Sequence, residues 1–281
     1  MAGVENGRIG VCSWSYQRPL KDVAAEMAKI GVKGIDLALG PFIAPDNRHG
    51  VAEDDAALAF AKEQFASGAW KLFATMISFP QEDYTTLESI RRTGGVVPDD
   101  CWERNKAIAV AAAKLSGELH APLMMFHAGF LDEKDPVAYA KYVERVSFIR
   151  DACAEYGVKV ALESGQETAE ELERFMRDVP GLGVNFDPAN MILYGKGRPM
   201  EAVKRLAPWI RQIHVKDADA TAVPGTWGTE RPWGDGQVGG ATFIDELCRL
   251  GFAGGMAIER EGGDDRVGDI AQAARRLRDG Q

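Results

Sequence analysis

The chain has 281 residues, 46% of them hydrophobic, so it can bury a large core without disulfide or metal staples. Its 33 Lys and Arg against 42 Asp and Glu give a net charge of -9, which argues against a nucleic-acid partner, because such a partner needs a basic surface to displace phosphate counterions. No apolar stretch nears the roughly 20 residues of a membrane span, and the opening Met-Ala-Gly-Val-Glu-Asn-Gly lacks the parts of a secretion signal, so no membrane partner and a cytoplasmic location are expected. Cys12, Cys101, Cys153 and Cys248 are scattered without close pairs and read as reduced thiols, three of them core filler.

Taken in order, residues 8–14 read as a first strand and 20–30 as a helix, with apolar side chains at helical spacing and Gly31 as its stop. A strand at 34–39, a helix at 52–66 and a strand at 71–77 follow. Residues 78–99 form a polar loop longer than ordinary connections, which marks it as a lid or a site wall. Next come a helix at 101–116, a strand at 122–127, a long helix at 136–156, a strand at 158–163 and a helix at 168–177. Strands at 182–187, 210–214 and 255–259 complete the series, with helices near 200–206, at 242–250 and at 267–277.

Eight strand–helix pairs in strict alternation, at about 35 residues each, predict a closed parallel (β/α)8 TIM barrel forming one domain over 1–281. The strands are near-continuous apolar runs, as burial on both faces requires. An open doubly wound sheet would carry a glycine-rich turn after its first strand; the turn here is Ser13-Trp-Ser-Tyr-Gln17.

Four of these strands end in a metal-type ligand: Glu163, Asp187, His214 and Glu259. A parallel barrel gathers all its strand C-termini at one mouth, so the four are expected to converge. Three carboxylates and one imidazole suit a single divalent ion, Mn2+ foremost, with Mg2+, Co2+ and Zn2+ also fitting the donors. His127 closes the fourth strand and faces the same mouth, where it is placed to act as a general base. Trp14, Trp227 and Trp233 are candidates to line a pocket and stack on a ligand, or to meet a second copy of the chain in a homo-oligomer. Lys216 is expected to hydrogen-bond a substrate hydroxyl or to pair with Asp217 or an active-site glutamate. Arg260, pointing away from Glu259 by strand alternation, is read as structural. His49, His120, Asp36 and Arg91-Arg92 receive no role beyond solvated surface.

The motifs Ala-Leu-Glu163, Asn-Phe-Asp187-Pro-Ala-Asn190, Ile-His214-Val-Lys-Asp and Ala-Ile-Glu259-Arg-Glu resemble the four metal-ligand motifs of the sugar phosphate isomerase/epimerase superfamily, the xylose isomerase-like barrels. The resemblance extends from Arg8-Ile-Gly-Val to Trp233-Gly-Asp-Gly-Gln. It implies an isomerase or epimerase of a ketose or keto-sugar: Glu163 and Glu259 transfer a proton on opposite sides of an enediolate that the metal stabilises. Two positions depart from the keto-sugar epimerases: Asn190 stands where those carry histidine, and Ala220 where they carry arginine. With His127 as base, the resemblance also admits a lyase that eliminates β to a carbonyl in keto-glycosides or dehydrates inososes. Asn190 and Lys216 remain candidate substrate contacts. Little positive charge lies near 234–240 beyond Arg231, which points to a neutral sugar rather than a sugar phosphate. An abasic-site endonuclease of the same barrel type would need more histidines than the four present. A non-catalytic barrel is the remaining alternative.

Overall fold

The computed structural model describes residues 3–44 and 50–281, so His49 lies outside the described residues. The barrel strands are β1 (Ile9–Cys12), β2 (Gly34–Ala38), β3 (Lys71–Met76), β4 (Leu123–Phe126), β5 (Lys159–Glu163), β6 (Gly183–Phe186), β7 (Ile210–Val215) and β10 (Met256–Ile258). All are parallel, each pairs with its barrel neighbour in sequence, and β10 closes onto β1 with Val11 opposite Ile258. Between β7 and β10 in the chain, β8 (Asp217–Asp219) and β9 (Thr229–Arg231) form a separate antiparallel pair. The closed parallel barrel expected from strand–helix alternation is therefore the fold.

The helices of the first half are α1 (Leu20–Ile30), α2 (Gly40–Ile43), α3 (Asp55–Ala66), α4 (Leu87–Thr93) and α5 (Trp102–Glu118). Those of the second half are α6 (Pro136–Ala154), α7 (Ala169–Asp178), α8 (Pro188–Leu193), α9 (Pro199–Leu206), α10 (Gly240–Arg249) and α11 (Arg266–Asp279). Local chemistry sets their ends. At α7 the Thr168 hydroxyl accepts from the Glu171 amide while the Glu171 carboxylate accepts from the Thr168 amide, a reciprocal cap. Leu172, Phe175 and Met176 then share one buried face of that helix, at helical spacing. No described helix is long and apolar enough to cross a membrane.

Two hydrophobic clusters follow from strand alternation. Residues facing outward, such as Val11, Ile35, Leu37, Val160, Val184 and Ile213, pack against the helices. Residues facing inward, such as Cys12, Ala38, Met125, Ala161 and Ala257, fill the barrel. The floor is closed by Phe73: a Cβ on Gly10, Gly34 or Gly255 would stand 2.6, 2.3 or 2.6 Å from its ring, so these three glycines make its seat. The layer above holds Asp36, Asn185 and Gln212, each at most 1% exposed.

The long segment 78–99 is a wall rather than an open loop. The Glu82 carboxylate accepts from the amides of Phe79 and Gly95, α4 forms within the segment, and the Arg145 guanidinium binds the carbonyls of Val96 and Val97. Two cysteines rather than three are core filler: Cys12 and Cys153 are buried, Cys101 is half-buried and Cys248 is exposed.

Candidate metal centre and cavity

Inward-facing positions two residues apart carry the polar layer up to the barrel mouth, where Glu163, Asp187, His214 and Glu259 meet. One donor atom from each lies within 4.8 Å of the others, and all four side chains are buried. The His214 Nδ1 is 3.1 Å from Glu163 Oε1, 3.5 Å from Glu259 Oε2 and 3.9 Å from Asp187 Oδ2.

Each carboxylate is oriented by its own neighbours. Asp187 follows β6 and caps α8: its Oδ1 accepts from the Asn190 amide at 2.9 Å, while Pro188 occupies the first helical turn, where its missing N–H costs nothing. That leaves Oδ2 buried and without a hydrogen bond, 3.8 Å from Lys216 Nζ. Glu163 closes β5; its Oε1 accepts from Asn190 Nδ2 at 3.1 Å and its Oε2 has no partner. Glu259 follows β10, and its oxygens are held by Trp14 Nε1 at 2.7 Å and by Lys216 Nζ at 2.7 Å. Lys216 also donates to Glu261 at 2.6 Å. Of the roles expected for Lys216, pairing with an active-site glutamate is the one observed; Asp217 instead accepts backbone amides of the following loop.

Burial alone would raise the Glu259 carboxyl, but the Lys216 ammonium and His214 outweigh it and hold it well below the usual carboxylate range. Glu163 is also lowered, with His127 and then His214 overcoming burial. At Asp187 burial wins over Lys216 and keeps the carboxyl well above its ordinary value. Burial works against a charged His214, yet the negative groups around it raise its proton affinity. The cluster thus packs three carboxyls and an imidazole into one buried space beside the Lys216 ammonium. With two unpartnered carboxylate oxygens and one imidazole nitrogen aimed at the same point, its donors fit a divalent ion.

Above the cluster opens a cavity of about 450 Å³, whose walls include His127, Asn190, Lys216, Tyr194 and Trp227. His127 Nε2 stands 3.4 Å from Glu163 Oε1, and its Nδ1 has no hydrogen-bond partner. Trp227, carried on the loop between β8 and β9, packs edge-on against Tyr194 at 4.9 Å. Glu163, Glu230, Glu259 and Glu261 bring carboxylates to this cavity, whereas Lys216 is its one ammonium among the described residues.

Several sequence expectations change here. Trp14 and Trp233 are 1% and 3% exposed and neither lines the cavity, so neither offers a face to a sugar; Trp14 instead orients Glu259. Asp36 is not solvated surface: it is fully buried, its carboxylate accepts from Gln212 Nε2 at 3.1 and 3.0 Å, and its Oδ2 lies 3.4 Å from His214 Nε2. The signal was available, because an acid inside a strand buried on both faces must have a partner. Tyr84, from the 78–99 wall, also lines the cavity; a tyrosine in a polar loop carries no periodicity by which the sequence marks it. Arg260 is structural as expected, pairing with Glu230 at 2.7 Å and Asp269 at 2.8 Å. Arg231 is taken up by Asp219 at 2.7 Å. Exposed Arg91 lies over the Phe130 ring, 4.6 Å from its centroid.

Fold and site together define a parallel barrel with a metal-type cluster at the C-terminal ends of its strands. The chain belongs to the xylose isomerase-like TIM barrel family, whose model matches residues 21–280. No curated protein sequence matches it significantly. Among solved structures it is similar to a xylose isomerase domain protein from Planctomyces limnophilus, with 29% identity, TM-score 0.81, and 92% of this chain and 90% of that chain covered. The fold is shared with an L-ribulose 3-epimerase at 15% identity and TM-score 0.74, covering 100% of this chain and 94% of that one. It is shared as well with the probable 3-DHS dehydratase AsbF from Bacillus anthracis at 16% identity and TM-score 0.71, covering 96% and 98%.

Proposed function

We propose that the chain is a divalent-metal-dependent isomerase or epimerase acting on a neutral ketose or keto-sugar. The observation that carries this reading is the convergence of Glu163, Asp187, His214 and Glu259, two of whose buried oxygens are unpartnered, beneath a cavity of sugar size. A dication held by these four would polarise a substrate carbonyl and acidify the neighbouring C–H. The side chains supply the rest. Glu163, whose Oε2 has no hydrogen bond, takes a proton from that carbon, and Glu259, brought to the cluster after β10, serves as its counterpart for return. Lys216 keeps Glu259 ionised and presents N–H groups at the cavity wall, placed to receive a substrate oxygen. The cavity's carboxylates disfavour a phosphate, and Arg231 is already paired.

A second reading, a lyase, is favoured by a specific observation. His127 stands at the cavity with an unpartnered Nδ1, while Asn190 and Ala220 replace the histidine and arginine of keto-sugar epimerases. In that reaction His127 removes a proton next to a carbonyl and the β-substituent leaves with the electron pair.

Incubation with Mn2+ and a panel of ketoses, 3-keto-glycosides and inososes in D2O separates the outcomes. Deuterium incorporated at a carbon next to the carbonyl, with every heavy atom retained, supports isomerisation or epimerisation. Release of the β-substituent supports elimination. Absence of both across the panel, with wild-type protein shown to bind Mn2+, would overturn either form of the reading.

A further inference from the structure

We propose that Asp36 is a positioning residue for His214, fixing the imidazole so that Nδ1 and not Nε2 is the atom offered to the ion. The proposal rests on the metal-dependent reading above and assigns a second layer to that same site.

The ring of His214 spans two environments. Its Nδ1 faces the three carboxylates of the cluster, and its Nε2 faces down the barrel towards Asp36 Oδ2 at 3.4 Å. Both residues are fully buried, and among the described residues no Lys or Arg pairs with Asp36. Gln212 Nε2 donates to both Asp36 oxygens, at 3.1 and 3.0 Å, and so fixes the carboxylate in place. A buried carboxylate beside a ring nitrogen favours a proton on that nitrogen. A neutral imidazole with its hydrogen on Nε2 carries its lone pair on Nδ1, the form that a metal requires.

Asn185 fits this assignment with its side-chain amide turned. Its amide lies 3.1 Å from Nε2, and its own Oδ1 has no other partner. Turned with Oδ1 towards Nε2–H, the amide becomes a second acceptor for that proton, while Nδ2 takes the former place of Oδ1. Cys12, Asp36 and His214 also lie within 4.8 Å of one another, but both Asp36 oxygens already accept from Gln212, whereas the upper cluster offers two buried carboxylate oxygens with no hydrogen bond. The donors therefore favour hydrogen bonding below the ring and metal binding above it.

The test is Asp36→Asn, read by Mn2+ titration calorimetry, by the visible d–d spectrum of the Co2+-loaded protein, and by the metal-free melting temperature. The proposal expects Mn2+ affinity to fall about 10- to 100-fold and the Co2+ bands to shift, with the metal-free melting temperature nearly unchanged. Unchanged affinity with an unchanged Co2+ spectrum would overturn it. Should Asp36→Asn fail to fold, Gln212→Met removes the group that fixes Asp36 and keeps a similar volume; it is expected to weaken Mn2+ binding, and wild-type affinity there would also overturn the proposal. A wild-type chain that binds no Mn2+ contradicts the metal-dependent reading itself, which the wild-type titration alone reveals.

Discussion

Glu167 lies four residues beyond Glu163, buried, with one carboxylate oxygen that has no hydrogen-bond partner. Burial pushes its carboxyl up to about 8, against the opposing pull of Lys196. An unfolded glutamate titrates near 4.5, so between these values the folded chain keeps a proton that the unfolded chain releases. Stability is therefore expected to fall as pH rises through that window, by up to about 1.4 kcal/mol per pH unit from this group. Glu167→Gln removes the contribution: its urea midpoint should gain on wild type steadily from pH 5 to pH 8, and parallel profiles would show that Glu167 is already ionised in the fold. Glu167 and Asp36 share a lesson about legibility. Glu163 could be read because it ends a strand inside a known motif. Asp36 needed the further inference that a residue alternating with Ile35 and Leu37 points into the barrel. Trp14 was read as a sugar platform because the sequence does not show that a 3-10 turn at Ser13–Tyr16 folds its indole inward towards Glu259.

Among the elements, the segment after β7 depends most on one side chain. The Asp217 carboxylate accepts the amides of Gly234 at 3.0 Å, Gly236 at 3.1 Å and Val238 at 3.0 Å. A Cβ on Gly236 would stand 2.4 Å from Asp217 Oδ1 and 2.8 Å from the Ala218 nitrogen, so the chain passes too close for any other residue. This brace ties 234–238 to the hairpin whose loop carries Trp227 to the cavity. Asp217→Ala is expected to cost about 3 kcal/mol, since bonds to a charged acceptor are the stronger kind. It should also speed hydrogen exchange at Gly234, Gly236 and Val238 by well over tenfold while the amides of β5 stay protected. Uniform acceleration across the barrel, or none in the loop, would show that the brace is not what orders it. The strands were legible because two-sided burial leaves continuous apolar runs, and their ends because those runs stop at polar residues. The hairpin of β8 and β9 was missed: each strand has three residues, with an exposed or half-exposed Thr229–Arg231 segment and no alternation long enough to read.

At the scale of the whole molecule, the barrel closes on itself only if β10 reaches β1, and the Phe73 ring sits against glycines from β1, β2 and the entry to β10 at once. We expect the chain to unfold as one domain for this reason. Phe73→Ala opens the floor and should cost about 3–5 kcal/mol, moving tryptophan fluorescence and helical circular dichroism together; two separated transitions would contradict the single-domain reading. The same closure brings four residues from 163 to 259 to one point, and on that point the functional account stands. Anomalous diffraction from crystals grown with Mn2+ tests it most directly. The account predicts one strong peak per chain, about 2.0–2.3 Å from oxygens of Glu163, Asp187 and Glu259 and from His214 Nδ1. A peak that omits these atoms, or no peak at saturating Mn2+, would contradict it.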